Sequence, residues 1–191
     1  MTQRKQGELV VLTVGHSTRP IGEFIELLKA HAVARIVDVR TVPRSRRNPQ
    51  FGQDALRDAL AAAGIGYTHL PALGGLRRAR PDSLNTGWRN ASFRGYADYM
   101  QTPQFAAALE AAIALGKKER IALMCAEAVP WRCHRSLIAD ALLARGIGAD
   151  DISSPTRRSP HKLTQFARVR GTEITYPPEG GATDDLFETG S

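Results

Sequence analysis

Short apolar runs alternate with amphipathic stretches along most of this chain, and that alternation limits the folds open to it. Residues 9–14 (LVVLTV), 35–40 (RIVDVR), 67–70 (YTHL) and 121–124 (IALM) have strand length. Between them, Ile21, Phe24, Leu27 and Leu28 recur at helical spacing just after Pro20. Leu56 and Leu60 mark a second helix over 54–63, with Gly64 as its stop. Further helices are predicted over 103–115 and from Ser136 to Gly146, and a weak last strand over 151–153. Buried strands joined through helices read as a parallel sheet covered on both faces. The expected fold class is therefore α/β, a three-layer α/β/α arrangement with a mainly parallel sheet and no internal repeat.

The 191 residues suffice for one domain with a substantial core. We expect a single α/β domain over 9–170, preceded by a flexible N-terminus at 1–8. Residues 76–95 (LRRARPDSLNTGWRNASFRG) carry five Arg without periodicity and read as an irregular flap. Residues 171–191 hold five acids and no base, with several Gly and Pro, and read as a disordered acidic tail. The first 170 residues then carry 26 bases against 14 acids, a charge of +12. Of those bases 21 are Arg, the side chain suited to bidentate recognition of phosphate and carboxylate, although Arg-favouring codon usage would enrich it equally at the surface. No apolar stretch is long enough to span a bilayer and no secretory core precedes the domain, so the expectation is a cytoplasmic protein without a membrane partner. Two cysteines in that compartment are expected as reduced thiols.

Nearly every unusual polar residue falls just after a predicted strand. His16 and Ser17 follow the first; Asp38, Arg40, Arg44 and Ser45 end and follow the second. His69 with Gly74 and Gly75 follows the third, and residues 125–135 (CAEAVPWRCHR) follow the fourth. In a parallel sheet all of these converge on one edge, outside the carboxyl ends of the strands, where ligands of open α/β sheets bind. Chance would scatter half of them to the opposite edge.

Each group has a functional and a bland reading. Cys125 is a nucleophile if nearby Arg or His charge lowers its pKa, or else a small buried hydrophobe. Glu127 is a general base or a salt-bridge partner. His134 and Arg135 stand where a helix begins, able to supply a proton and an anion clamp, or are an ordinary helix start beside a capping Ser136. The Arg44-Ser45-Arg46-Arg47 segment suits phosphate contacts, or is a solvated basic loop. Gly74-Gly75 permits close backbone approach to a ligand or simply turns the chain. A phosphatase-type loop is disfavoured: six residues separate Cys125 from Arg132 and nine from Arg135, and Pro130 removes an amide donor. Cys125, Cys133, His134, His16 and His69 lack the close paired spacing of structural zinc sites, so no metal is assigned and no cofactor is named.

The stretches TVGHS (13–17), DVR (38–40), PRS (43–45), NPQF (48–51), LPALGG (70–75), GYADYM (95–100), LMCAE (123–127), CHR (133–135) and HKL (161–163) resemble, in this order, the domain of unknown function 488 family. The resemblance spans residues 9–168. It implies a three-layer α/β fold, rhodanese-like only in broad topology, and brings no established reaction, substrate or cofactor.

The functional expectation is a cleft at the carboxyl ends of the strands that binds an anionic ligand, phosphorylated as in a nucleotide or nucleic acid. Cys125, Glu127, His134, His16 and Asp38 are the candidate catalytic groups, for a hydrolase or transferase if the protein is an enzyme. Ser17, Arg40, Arg44, Ser45, Gly74, Gly75 and Arg135 are the candidate ligand contacts. Two alternatives stay open: a non-catalytic Arg-rich nucleic-acid-binding module, and thiol-based sulfur transfer through Cys125.

Overall fold

A computed structural model describes residues 8–178. Its frame is a six-stranded sheet of β1 (Val10–Gly15), β2 (Arg35–Asp38), β3 (Gly66–His69), β4 (Ile121–Cys125), β5 (Gly148–Ser154) and β6 (Arg157–Pro160), in the order β3-β2-β4-β1-β5-β6. The first five strands run parallel, and β6 returns antiparallel to β5. Helices α1 (Ile21–Ala30) and α2 (Gln53–Ala62) cover one face, and α3 (Ala91–Tyr99), α4 (Pro103–Lys118) and α5 (Arg135–Leu143) the other.

The period-two alternation of a strand sorts the apolar residues between the faces. Leu12, Val14, Ile36, Ala122 and Met124 pack with Phe24, Leu27 and Leu28 of α1 and Leu56 and Leu60 of α2. Val11, Val37, Ile121, Leu123 and Cys125 point the opposite way, into Phe105 and Leu109 of α4 and Leu137 and Ile138 of α5. Because Cys125 follows Leu123 by two, its thiol belongs to the α5 side. The expected three-layer α/β architecture is the one observed.

Differences from the sequence expectations are local. The predicted flap is ordered at its end, since α3 begins at Ala91, capped by the Asn90 side chain accepting from the amides of Ser92 and Phe93. Gly95 hides the helical signal, yet it is required there: a Cβ would stand 2.3 Å from the Arg77 carbonyl oxygen. The rest of the flap is pinned by Asp98, which accepts from Ser83 Oγ, Asn85 Nδ2 and the Arg80 amide.

The predicted tail begins too early. Residues Arg168–Arg170 (β7) and Glu173–Thr175 (β8) form an antiparallel pair. Ile174 and Tyr176 are buried, with the Tyr176 hydroxyl donating to Asp140 and its amide to Asn85 Oδ1. Counting acids over the whole segment masked these apolar anchors. The remainder of that tail, 179–191, and the N-terminal stretch 1–7 lie outside the described residues. Among the described residues, no helix is long and apolar enough to cross a membrane.

Candidate functional site

β1 and β4 are neighbours, with Gly15 opposite Cys125, but the chain leaves them toward opposite faces, β1 into α1 and β4 into α5. Such a divergence opens a crevice at the carboxyl ends of the two strands. The backbones stay paired beyond the strands, the His16 amide donating to the Cys125 carbonyl and the Ser17 amide to the Ala126 carbonyl. Gly15 permits this closeness, because a Cβ there would stand 1.9 Å from the Glu127 carbonyl oxygen. Ser17 takes up the turn with φ of 53°, in the left-handed region.

The resulting cleft has a volume of about 680 Å³ and is lined by His16, Ser17, Arg40, Arg44, Ser45, Gly75, Cys125, Glu127 and His134 among the sequence candidates. Arg132, Cys133, Thr41, Asn48, Leu76 and Tyr96 complete much of the wall. Three of the sequence candidates, Asp38, Gly74 and Arg135, are not part of that lining.

Asp38 is fully buried and holds Arg40. Its two carboxylate oxygens accept from Arg40 Nε at 2.9 Å and a terminal nitrogen at 2.6 Å, and Tyr67 donates to it at 2.8 Å. A carboxylate so occupied aims a guanidinium. Burial, then the charge of Asp38, pushes the Tyr67 hydroxyl pKa up, so it stays a donor. The remaining Arg40 nitrogen approaches His16 Nε2 at 3.4 Å, and the His69 ring Nε2 lies 2.9 Å from the Arg40 carbonyl.

Arg135 is likewise withdrawn from the cleft. Its guanidinium is completely buried on the far side of the loop, donating to Asp151 Oδ1 at 2.9 Å and to the Glu127 carbonyl at 2.8 Å. It ties the loop after β4 to β5. Gly74 serves packing, since a Cβ would meet Thr41 Oγ1 at 2.3 Å.

His16 stacks on Phe51 with centroids 4.1 Å apart, and its Nδ1 lies 2.7 Å from the Ser17 carbonyl oxygen. A carbonyl partner makes Nδ1 the protonated nitrogen and leaves Nε2 as an acceptor. Burial is the largest influence on the ring and lowers its pKa to about 4, so it is neutral at physiological pH. His134 tilts over Tyr96 at 4.9 Å between centroids, with Nε2 buried and without a partner among the described residues. Glu127 is exposed, and its carboxylate accepts from the Val129 amide.

The two thiols meet at the cleft wall. Cys125 Sγ lies 2.8 Å from Cys133 Sγ, and both cysteines are free. The Arg135 amide at the start of α5 points at Cys133 Sγ from 3.5 Å, and His134 Nδ1 lies 3.7 Å away. Their pKa values move apart: the hydrogen bond with Cys125 is the largest influence holding Cys133 down, to about 4, while burial drives Cys125 up. Cys133, which was not among the sequence candidates, thus stands beside Cys125 at the cleft. Its place at the start of a helix was the available sequence signal. Arg132 was visible only as a spacing that failed a phosphatase pattern. Tyr96 carried no signal that set it apart from the core.

Arg44 and Arg132 are exposed at the cleft and have no acid partner among the described residues. Arg40, already paired with Asp38, adds a third guanidinium to a wall whose one carboxylate is Glu127. No cluster of three or more metal-ligating side chains occurs among the described residues.

A family model described as Domain of unknown function DUF488 matches residues 20–142. Curated proteins and solved structures yield no match.

Proposed function

The chain belongs to the DUF488 family, whose description assigns no reaction, and from its own geometry we propose that the cleft binds an anionic, phosphorylated ligand. The observation that carries this reading is the pair of guanidinium groups, Arg44 and Arg132, without an acid partner among the described residues, at a crevice where adjacent strands diverge. Arg40 adds a third, pre-aimed by its fork on Asp38. Arg44 and Arg132 are solvated in the free protein, and an oxyanion of matching geometry would exchange that water for charge-assisted hydrogen bonds. The Ser17 and Ser45 side chains lie on the same wall as further polar groups.

Size favours a small molecule. About 680 Å³ falls within the roughly 300–1,000 Å³ of ordinary ligand pockets, room for a nucleotide but not for a length of duplex. A strand of nucleic acid would place one terminal phosphate or nucleotide in the cleft, with Arg46 and Arg47 on the adjoining exposed loop for its backbone.

The test is isothermal calorimetry with inorganic phosphate, nucleoside mono- and diphosphates, and a short single-stranded oligonucleotide. Arg44→Ala and Arg132→Ala should each weaken binding about tenfold, the loss of one charge-assisted hydrogen bond. Unchanged affinity in both variants refutes the reading. Affinity confined to the oligonucleotide and lost together with Arg46 and Arg47 would favour the nucleic-acid-binding module.

A further inference from the structure

We propose that Cys125 and Cys133 are a redox-active pair that reduces disulfides, with Cys133 attacking and Cys125 resolving. The chain's only two cysteines stand eight positions apart, yet the fold brings their sulfurs to 2.8 Å on the cleft wall. A disulfide bond is about 2.05 Å long, so closing the pair requires less than an ångström of relative movement. Two buried hydrophobes would pack as well without this arrangement, and without a helix-start amide and an imidazole nitrogen aimed at one of the sulfurs.

The asymmetry assigns the roles. Cys133 opens onto the cleft at the start of α5, where the Arg135 amide and the His134 ring stabilise a thiolate. Cys125, deeper at the end of β4, is held protonated by its burial, with its Sγ within reach of both Cys133 Sγ and the Glu127 carbonyl. In the first step the Cys133 thiolate attacks one sulfur of R–S–S–R′, forming a Cys133–S–S–R mixed disulfide and expelling R′S⁻. Cys125 then gives up its proton to that departing thiolate and attacks Cys133 Sγ. The Cys133–SR bond breaks, the Cys125–Cys133 disulfide forms and RS⁻ leaves. Two electrons pass from the pair to the substrate, and an external dithiol returns them in the next cycle.

The expected substrate is a low-molecular-weight disulfide bearing carboxylates. This charge preference rests on the anion-binding reading above, whereas the exchange chemistry does not.

The full-length protein, reduced and freed of reductant, is mixed with oxidised glutathione, quenched with acid, alkylated and weighed by intact mass spectrometry. The wild type should lose two hydrogens and resist alkylation at both cysteines. Cys125→Ser should accumulate a glutathione adduct on Cys133, and Cys133→Ser should react at least about tenfold more slowly. Full alkylation of the wild type after exposure overturns the proposal without recourse to any variant. Equal trapping by the two single variants overturns the assigned roles. Hydroxyethyl disulfide, which is neutral, separates the two readings: if it oxidises the wild-type pair as fast as oxidised glutathione, the redox pair stands and the anion preference falls.

Discussion

Replacing Arg135 by Met should destabilise the protein by about 3–5 kcal/mol, the range for removing one partner of a buried ion pair. Met keeps much of the stem's volume, so a cavity contributes little. What remains is the Asp151 carboxylate, only 15% exposed, held by the Thr13 hydroxyl alone, and a Glu127 carbonyl left with only the long contact from the Cys125 thiol. For a chain of this size that loss lowers Tm by roughly 6–20 °C. The loss should also depend on pH. Burial raises the Asp151 pKa above the ordinary carboxylate value of 3.8, and Arg135 pulls it back down, so removing Arg135 raises it further. A folded pKa above the unfolded one means that the fold favours the protonated carboxyl. The penalty is therefore full at neutral pH and shrinks as pH falls through the raised value toward 3.8. Cys133 moves the difference in the same direction, because Arg135 also helps to hold its thiol pKa down. Urea unfolding of wild type and Arg135→Met, compared at neutral pH and near pH 5, measures both effects, and adding Asp151→Asn should return most of the loss. A variant within about 0.5 kcal/mol of wild type, or a loss that grows on acidification, refutes the reasoning.

Three further outcomes are expected. Gly15→Ala drives a Cβ into the Glu127 carbonyl and should cost about 2 kcal/mol by thermal or urea unfolding, while Gly22→Ala, with open space around it, should not destabilise. Tyr67→Phe removes one of the hydrogen bonds on Asp38 but leaves the Arg40 fork, so it should cost about 1 kcal/mol and leave phosphate binding within twofold; abolished binding would show that Tyr67 itself reaches the ligand. The stability difference between wild type and Cys133→Ser should widen as pH rises from about 4 toward 9. A thiol whose folded pKa is depressed contributes stability above its unfolded value and loses it as pH falls through the folded one. A difference that is flat over that interval contradicts the thiolate.

The layering was legible in the sequence because it depends on local periodicity. Val11 and Leu12 already announce opposite faces, and Pro20 with Ile21 and Phe24 announces a helix. Convergence of the polar groups on one sheet edge was legible too, since parallel strands carry whatever follows them to the same side. Roles within that edge were not. Asp38 and Arg135 carry the same chemistry on paper as Glu127 and Arg132, but burial against Arg40 and Asp151 turns the first two into braces. Cys125 looked like a lone reactive sulfur from its place at a strand end, and only the fold brings Cys133 to 2.8 Å from it. Segment 171–178 shows the same limit: its acids pointed to a disordered tail, and the partners that hold Tyr176, Asp140 and Asn85, lie far away in the chain. By itself the sequence determined the elements, their order and the edge that carries the chemistry, because these follow from spacing along the chain. Tertiary structure decided which charges are spent on one another and which face the cleft, because pairing and desolvation depend on distances between residues remote in sequence.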